Sequence, residues 1–285
     1  MRASSTPKFS QRVPSIPAPC TPTRRDWTTL LNRIGRWRKR RRWVQYKLKA
    51  VPRVIRVFMI AVAALAVFSA ANLVYQVLRK PAEVFSPISG GLNKAPIETW
   101  RQYAQFFREY STASVSPALL AALAQIEGAG NPIASTYWRW RLTWNPFEVY
   151  QPASSSVGMF QMTDAAFAEA RRYCIRHHTV VENGCLSNAF DSRIIPSRAI
   201  ELTAVFLDRN VTAILRRRPN RAATGQQKDE LAAIIHLCGA GFAKSFVRRG
   251  FHLLAGERCG DHDVATYLAR IKAAKQMFLR VAADG

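Results

Sequence analysis

The chain has 285 residues, of which 48% are hydrophobic and 21% are charged. This length can bury the core of one or two domains, and this composition excludes a chain that is disordered throughout. The net charge of +24 points to a polyanionic partner such as nucleic acid, anionic lipid or an anionic polymer.

The N-terminal arm carries most of that charge. Residues 1–53 contain 15 Lys and Arg against one acidic residue, Asp26, which gives +14. The arm begins with a stretch rich in Ser, Thr and Pro, where we predict a disordered tail, and continues with bases interleaved with Trp37 and Trp43. We interpret it as a cytoplasmic segment that lies on anionic lipid. Binding of nucleic acid is the alternative, because alternating basic and aromatic residues suit phosphates and bases.

An apolar run follows the arm. Residues 57–78 include no charged residue, and as a helix they would be about 33 Å long, enough to cross a bilayer core of about 30 Å. We therefore predict a single transmembrane helix at residues 54–78. A cleaved signal peptide would have a shorter apolar run and a shorter segment before it. Because the basic excess precedes the run, the positive-inside rule predicts a cytoplasmic N-terminus and an exported remainder.

The rest of the chain is predicted to be a linker and one mainly α domain. Residues 79–96 contain three Pro and two Gly, which indicates a linker. Residues 97–285 show helical periodicity and few strand signals, and Ser116 before Pro117 marks a helix start. Helices are predicted at 97–111, 117–127, 163–177, 196–216, 228–238, 241–249 and 261–282.

Four of the five cysteines fall in the predicted exported domain: Cys174, Cys185, Cys238 and Cys259. An even number of cysteines in an oxidising compartment predicts two disulfides. Pairing of nearest neighbours would join Cys174 to Cys185 and Cys238 to Cys259, although the sequence allows three pairings.

Zinc is the alternative to disulfides. The spacings Cys174-x-x-His177 and Cys259-x-x-His262 are typical of zinc ligands. Such a site would be structural, and we predict no metal in the chemistry of this protein.

One carboxylate stands out in the domain. Residues 117–126 are almost entirely apolar, so their helix must be buried on most sides. Glu127 ends this helix and is followed by the glycine-rich segment 128–130. A carboxyl group on a cleft wall is favoured in its protonated form by burial and can then deliver a proton to a leaving oxygen. The alternative is a helix end that is merely exposed.

Two later segments are weaker signals on their own. Residues 158–161 read Gly-Met-Phe-Gln, and the amide of Gln161 can donate and accept, which suits an acetamido group or a sugar hydroxyl. His236 lies in the last turn of an apolar helix that ends in Gly239-Ala240-Gly241. The alternatives are an ordinary loop and a structural histidine.

In this order, the three segments resemble the soluble-type (SLT) lytic transglycosylases of the lysozyme-like superfamily. In that family a buried helix ends in Glu-Ser, a Gly-Leu-Met-Gln element follows, and a later helix ends in Tyr-Asn-Ala-Gly-x-Gly. The resemblance covers about residues 115–250 and implies a lysozyme-like, all-helical catalytic domain with Glu127 as the catalytic residue. The predicted substrate-binding residues are Ser156, Gly158, Met159, Phe160, Gln161, His236, Tyr137 and Trp140.

The chain departs from the family pattern at several positions, and three of them bear on the candidate site. Gly128 stands where the family has Ser, His236 where it has Tyr, and Leu237 where it has Asn. The first change removes a hydroxyl beside the catalytic acid. The second substitutes a side chain that can still hydrogen-bond but can also be charged near neutral pH.

The stretch between the first two segments is longer than the family would suggest. Its residues 137–147 are aromatic and basic. Aromatic rings stack on sugars and Arg pairs with carboxylates, so we predict a wall of the substrate cleft that includes Tyr137 and Trp140. The alternatives are a lid packed into the core and a docking surface for a partner.

The resemblance implies cleavage of the β-1,4 bond between N-acetylmuramic acid and N-acetylglucosamine in peptidoglycan, with 1,6-anhydromuramyl ends and no cofactor. The enzyme would sit in the bacterial inner membrane with its catalytic domain in the periplasm. By analogy, it would open the wall for a secretion or conjugation apparatus. The alternatives are a hydrolytic muramidase, which Glu148 or Asp164 facing Glu127 would favour, and a catalytically silent peptidoglycan-binding or assembly subunit of the same fold.

Overall fold

The structure is a computed structural model that describes residues 52–80, 84–85, 90–185, 192–217 and 222–283. Residues 1–51 of the predicted basic tail and residues 81–83 and 86–89 of the predicted linker lie outside these ranges. The chain divides into two compact units, residues 1–67 and 68–285.

The described residues are mainly helical, as predicted. The α-helices are α1 (Arg53–Arg79), α2 (Pro96–Glu109), α3 (Pro117–Gly128), α4 (Asp164–Ala170), α5 (Pro196–Leu215), α6 (Gly225–Arg248) and α7 (Val264–Ala283). Short strands pair as antiparallel hairpins, in which β1 (Trp138–Trp140) joins β2 (Tyr150–Pro152), β3 (Cys174–Arg176) joins β4 (Thr179–Val181), and β5 (Arg258–Cys259) joins β6 (His262–Asp263).

Two of the described helices, α1 and α6, are long and apolar enough to cross a membrane. The most apolar window of α1 is only 6% buried inside the protein, whereas that of α6 is 44% buried. Residues 231–235 of α6 belong to the hydrophobic core, so its apolar character has an explanation inside the protein. α1 covers the whole of the predicted span at 54–78.

The core of the second unit surrounds α3. Every residue from Ala118 to Ala124 is buried, because each face of this helix is apolar and meets another helix. α3 packs chiefly against α7 and α2, while α5 packs against α6. The predicted start of α3 is confirmed, since the Ser116 side chain accepts a hydrogen bond from the Leu119 N–H at 3.2 Å and Pro117 follows it.

The predicted helix at 163–177 is wrong in its second half. α4 ends at Ala170, and residues 174–176 form β3. The Ile175 N–H donates to the buried Glu201 carboxylate at 3.0 Å, and Cys174 pairs with Val181 in the hairpin register. These tertiary contacts outweigh local helix propensity.

The predicted interruption near residue 239 is present inside α6. Gly239 has φ 76° and ψ 173°, which is not helical and which glycine adopts most readily. The first half of α6 therefore ends at the glycine turn, with His236 in its last turn.

The cysteines lie in pairs at disulfide distance, in the nearest-neighbour arrangement. The Cα–Cα distance is 5.5 Å both for Cys174 with Cys185 and for Cys238 with Cys259. The second pair joins the end of the first half of α6 to β5, just before α7. This cross-link therefore fixes how α6 and α7 are placed against each other.

We expect replacement of both Cys238 and Cys259 by Ser to lower the free energy of unfolding by about 2–4 kcal/mol, because the cross-link restricts the unfolded chain. Urea unfolding of the detergent-solubilised protein measures this. The matched control replaces Cys174 and Cys185, whose sequence separation is 11 residues rather than 21, and should cost less. An unchanged unfolding midpoint in the first variant would contradict the cross-link.

Candidate active site

Glu127 lies in the last turn of α3, where the buried body of the helix fixes its backbone. Its side chain is 19% exposed, so the carboxyl group is accessible but largely surrounded by protein. Ala129 caps the helix in the left-handed conformation at φ 49°, and its N–H bonds back to the Ala124 and Gln125 carbonyls. The chain turns away immediately after the carboxylate and leaves it at a surface.

Tyr267 is the closest partner of Glu127. Its hydroxyl donates to Glu127 Oε1 at 2.6 Å. Burial, together with the negative charge and hydrogen bond of Glu127, raises the pKa of Tyr267 above its usual value. The phenol therefore stays neutral and remains a donor.

Tyr267 was not predicted from the sequence. The residue lies on the buried stripe of α7, whose members are three or four residues apart: Val264, Tyr267, Ile271, Ala274 and Phe278. The sequence does place a tyrosine at a core position of this helix, and a buried phenol needs a hydrogen-bond partner. Nothing local connects it to a carboxylate 140 residues earlier.

His236 lies near the same carboxylate oxygen. Its Nε2 is 3.9 Å from Glu127 Oε1, and its side chain is 10% exposed. This distance is too long for a hydrogen bond, but a protonated ring would form an ion pair there. The structure thus brings together the predicted residues Glu127 and His236, and adds a phenol from a different helix.

The two carboxylate oxygens of Glu127 differ in their surroundings. Tyr267 and His236 both face Oε1. Within the described parts of the chain, no hydrogen bond reaches Oε2. A carboxyl group held by one oxygen presents the other to a ligand, either as a proton donor or as an acceptor.

Gly128 has a steric reason to be glycine. A Cβ atom at this position would lie 2.7 Å from Met159 Cα and 2.8 Å from Met159 O, so backbone atoms would have to move. The Ser that the family carries here does not fit this backbone. The close approach also places residues 158–161 directly on the helix end that carries Glu127.

The segment 158–161 is fixed in place by its contacts with the rest of the protein. Gly158 has φ 77°, and a Cβ there would meet the Arg193 carbonyl oxygen. Met159 and Phe160 are fully buried, so their side chains anchor the segment in the core. Because these side chains are buried, Met159 and Phe160 could contact a substrate only through their backbone atoms.

Among the described residues, the Gln161 side chain forms hydrogen bonds through its amide nitrogen only. Its Nε2 donates to the Ala134 carbonyl at 3.1 Å and to the Gly158 carbonyl at 2.9 Å. Both amide hydrogens are therefore occupied, and Oε1 is the atom available to accept from a ligand. The neighbouring Ser156 is half-buried, and its backbone N–H donates to the Ser154 hydroxyl at 3.1 Å.

Tyr137 and Trp140 lie at the β1–β2 hairpin and are exposed. The Trp140 ring packs on Tyr150 with centroids 4.8 Å apart. In the described segments, no hydrogen bond or ring contact joins Tyr137 or Trp140 to Glu127. The structure therefore does not bring this predicted cleft wall into contact with the carboxylate.

The two other candidate carboxylates pair with arginines. Glu148 Oε1 is 3.4 Å from Arg79, and Asp164 Oδ1 is 2.8 Å from Arg193. Across the described ranges, no second carboxylate contacts Glu127. Nor do three His, Cys, Asp or Glu side chains group closely enough there to hold a metal ion.

A separate cavity of about 590 Å³ opens between α5 and the β3–β4 hairpin. His178, Asp208 and Arg209 are among the residues that line it. None of the predicted site residues lines this cavity, so it is distinct from the surface around Glu127.

No protein-family model matches the chain, and no curated protein matches it at a significant level.

Gly128→Ser should destabilise the protein by about 1–3 kcal/mol, because its side chain would be forced against the Met159 backbone. Thermal unfolding with a circular-dichroism readout measures this. The matched control is Gly241→Ala, because a Cβ at Gly241 meets nothing within 4 Å. Equal stability of the Gly128 variant and the wild type would show that the close approach is absent.

Tyr267→Phe should reduce the loss of folding stability that the wild type shows as the pH rises into the alkaline range. An unfolded tyrosine ionises near pH 10, whereas folded Tyr267 keeps its proton, so the free energy of unfolding of the wild type falls as pH rises above about 10. The variant lacks this contribution and should lose stability less steeply. Urea unfolding between about pH 9 and 11 measures the slope, and identical slopes would contradict a phenol held neutral by Glu127.

Proposed function

We propose that this chain is a membrane-anchored lytic transglycosylase that uses Glu127 as both acid and base. The supporting observation is the carboxylate itself, with Oε1 held by Tyr267 at 2.6 Å and His236 Nε2 at 3.9 Å from the same oxygen. A carboxyl group fixed in this way can deliver one proton and then accept another from nearly the same position.

The proposed substrate is the glycan strand of peptidoglycan, cut at the β-1,4 bond between N-acetylmuramic acid and N-acetylglucosamine. The order of the segments at Glu127, Gly158 and His236 supports this choice. So does charge, because residues 79–285 carry 26 basic against 17 acidic residues, and the wall polymer is anionic.

In the first step, protonated Glu127 gives its Oε2 proton to the glycosidic oxygen as the bond from that oxygen to C1 of the muramyl residue breaks. The 2-acetamido group of the substrate stabilises the oxocarbenium-like centre, so a second carboxylate is not required. The Tyr267 hydroxyl remains hydrogen-bonded to Oε1. That bond strengthens as Glu127 becomes charged, which stabilises the carboxylate formed.

In the second step, the Glu127 carboxylate accepts the proton of the muramyl 6-hydroxyl group while the oxygen of that hydroxyl attacks C1. The new bond closes the 1,6-anhydro ring, and the protonated acid is regenerated. No water is consumed. His236, 3.9 Å from Oε1, would alter the charge next to Glu127 if it became protonated.

Hydrolysis is the second candidate reaction, and it would use a carboxylate that positions water. Glu148 and Asp164 lie close in sequence to residues 158–161, and each pairs with an arginine. This pairing favours the transglycosylase. The silent-subunit alternative draws on Gly128 and His236, whereas the Tyr267 hydrogen bond favours a working acid.

The proposed location is the inner membrane, with α1 as a single anchor, the basic arm in the cytoplasm on anionic lipid, and the second unit in the periplasm. The apolar, exposed α1 and the basic excess before it support this orientation. Local opening of the wall for a secretion or conjugation apparatus is a proposal by analogy.

Glu127→Gln should lower the release of anhydromuropeptides from purified sacculi by about 10²–10⁴-fold, because the amide cannot transfer the proton. Mass spectrometry of the released products measures this and distinguishes anhydro ends from the reducing ends of a hydrolase.

The matched control is Glu148→Gln, which makes the same chemical change at a carboxylate that pairs with Arg79 and should leave release unchanged. Release that survives in the Glu127 variant would refute the site. Reducing ends would favour the muramidase, and no release by the wild type would favour the silent subunit.

A further inference from the structure

The β1–β2 hairpin (residues 138–152) packs along the C-terminal part of α1 through two buried amides. Asn72 Nδ2 donates to the Tyr150 carbonyl at 2.9 Å, and Gln76 Nε2 donates to the Phe147 carbonyl at 2.7 Å. Both side chains are buried although they belong to an otherwise apolar helix. The hairpin therefore accepts from two amide nitrogens that lipid would leave without partners, whereas Asn72 Oδ1 is buried without a hydrogen bond among the described residues.

Aromatic packing reinforces this contact. The Phe147 ring lies 6.4 Å from Phe68 and 5.3 Å from Tyr75, measured between centroids. At the other end of the contact, Lys80 Nζ donates to the Ser154 carbonyl at 3.2 Å. Hydrogen bonds and ring contacts thus share one face of the helix.

All of these contacts fall on residues 68–80. Ser154 meets Lys80, Glu148 pairs with Arg79, and the Phe147 ring reaches Phe68. The hairpin therefore lies along the C-terminal part of α1, a helix whose apolar side chains are largely exposed.

The hairpin tip, residues 140–144, exposes large apolar side chains. Leu142 is 103% exposed, Trp144 104% and Trp140 75%. Arg139 and Arg141 alternate with them and are also exposed. Trp beside Arg is the composition of a membrane interface, where the ring lies among lipid headgroups and the guanidinium meets phosphate.

We infer that the hairpin tip inserts into the interfacial layer of the bilayer that α1 crosses, with Trp140, Leu142 and Trp144 against lipid and Arg139 and Arg141 at anionic headgroups. This inference rests on the membrane anchor of the proposed function and is independent of the glycan chemistry. The occupant is lipid because the exposed Trp, Leu and Arg side chains belong to a hairpin that packs directly on the apolar, exposed helix α1.

The length of α1 agrees with this placement. If Asn72 marks the edge of the hydrocarbon, residues 54–71 remain to cross it, and 18 helical residues are about 27 Å long. A bilayer core is about 30 Å thick, and spans of about 17–25 residues cross it. The last two turns of α1 then belong to the exported unit.

The test uses the full chain in vesicles of phosphatidylcholine and phosphatidylglycerol. Leu142→Cys, in a Cys20→Ser background, carries an NBD fluorophore, and brominated acyl chains quench fluorophores that enter the lipid. The matched control is Leu254→Cys, another exposed leucine, in a loop between α6 and β5. We expect blue-shifted emission and at least threefold stronger quenching at position 142 than at position 254.

Equal quenching at the two positions, with the chain still resistant to alkaline extraction, would overturn the hairpin inference and leave the anchor intact. Loss of the chain from the vesicles at alkaline pH would overturn both the anchor and the inference. Protection of the label by sacculi rather than by lipid would assign the tip to glycan and overturn the inference. Release of anhydromuropeptides is a separate readout, so failure of the enzyme proposal remains distinguishable.

Discussion

The hydrogen bond from the Tyr267 hydroxyl to Glu127 Oε1 depends on how α3 and α7 pack together. These helices form the most extensive helix contact of the second unit, and both bury their facing residues. The bond forms only if packing holds the Glu127 and Tyr267 side chains within hydrogen-bonding distance of each other. The pairing of Cys238 with Cys259 contributes to this, since it holds the strand that leads into α7. Stability and the candidate chemistry therefore share the same contacts.

A second constraint on the end of α3 comes from the segment 158–161. Residues 158–161 approach the end of α3 so closely that position 128 has no room for a side chain. A Ser at position 128 would require the two backbones to move apart. The Tyr267 phenol on α7 provides a hydroxyl partner for Glu127 instead. The glycine at position 128 thus has a steric cause.

Sequence patterns predicted the features that depend on local physics. The apolar run before Glu127, the Ser116 cap and the glycine turn at 239 each follow from nearby residues, so the end of α3 and the break in α6 could be predicted. The β3–β4 hairpin could not, because its strand carries helical periodicity and is stabilised by Glu201 from another element. Tyr267 was missed for the same reason, since its partner lies on a distant helix. The placement of residues 138–152 along α1 depends on Asn72 and Gln76. No sequence pattern around these two residues indicates which part of the chain their amides contact.

The two buried amides of α1 have a consequence for the helix that carries them. A helix selected only for its apolar length could be exchanged for any apolar helix of similar length. α1 instead presents two amides that donate to the backbone carbonyls of Phe147 and Tyr150. An unrelated apolar helix grafted in its place would lack both donors and leave these carbonyls without them. Asn72 and Gln76 therefore make the C-terminal part of α1 specific for the β1–β2 hairpin.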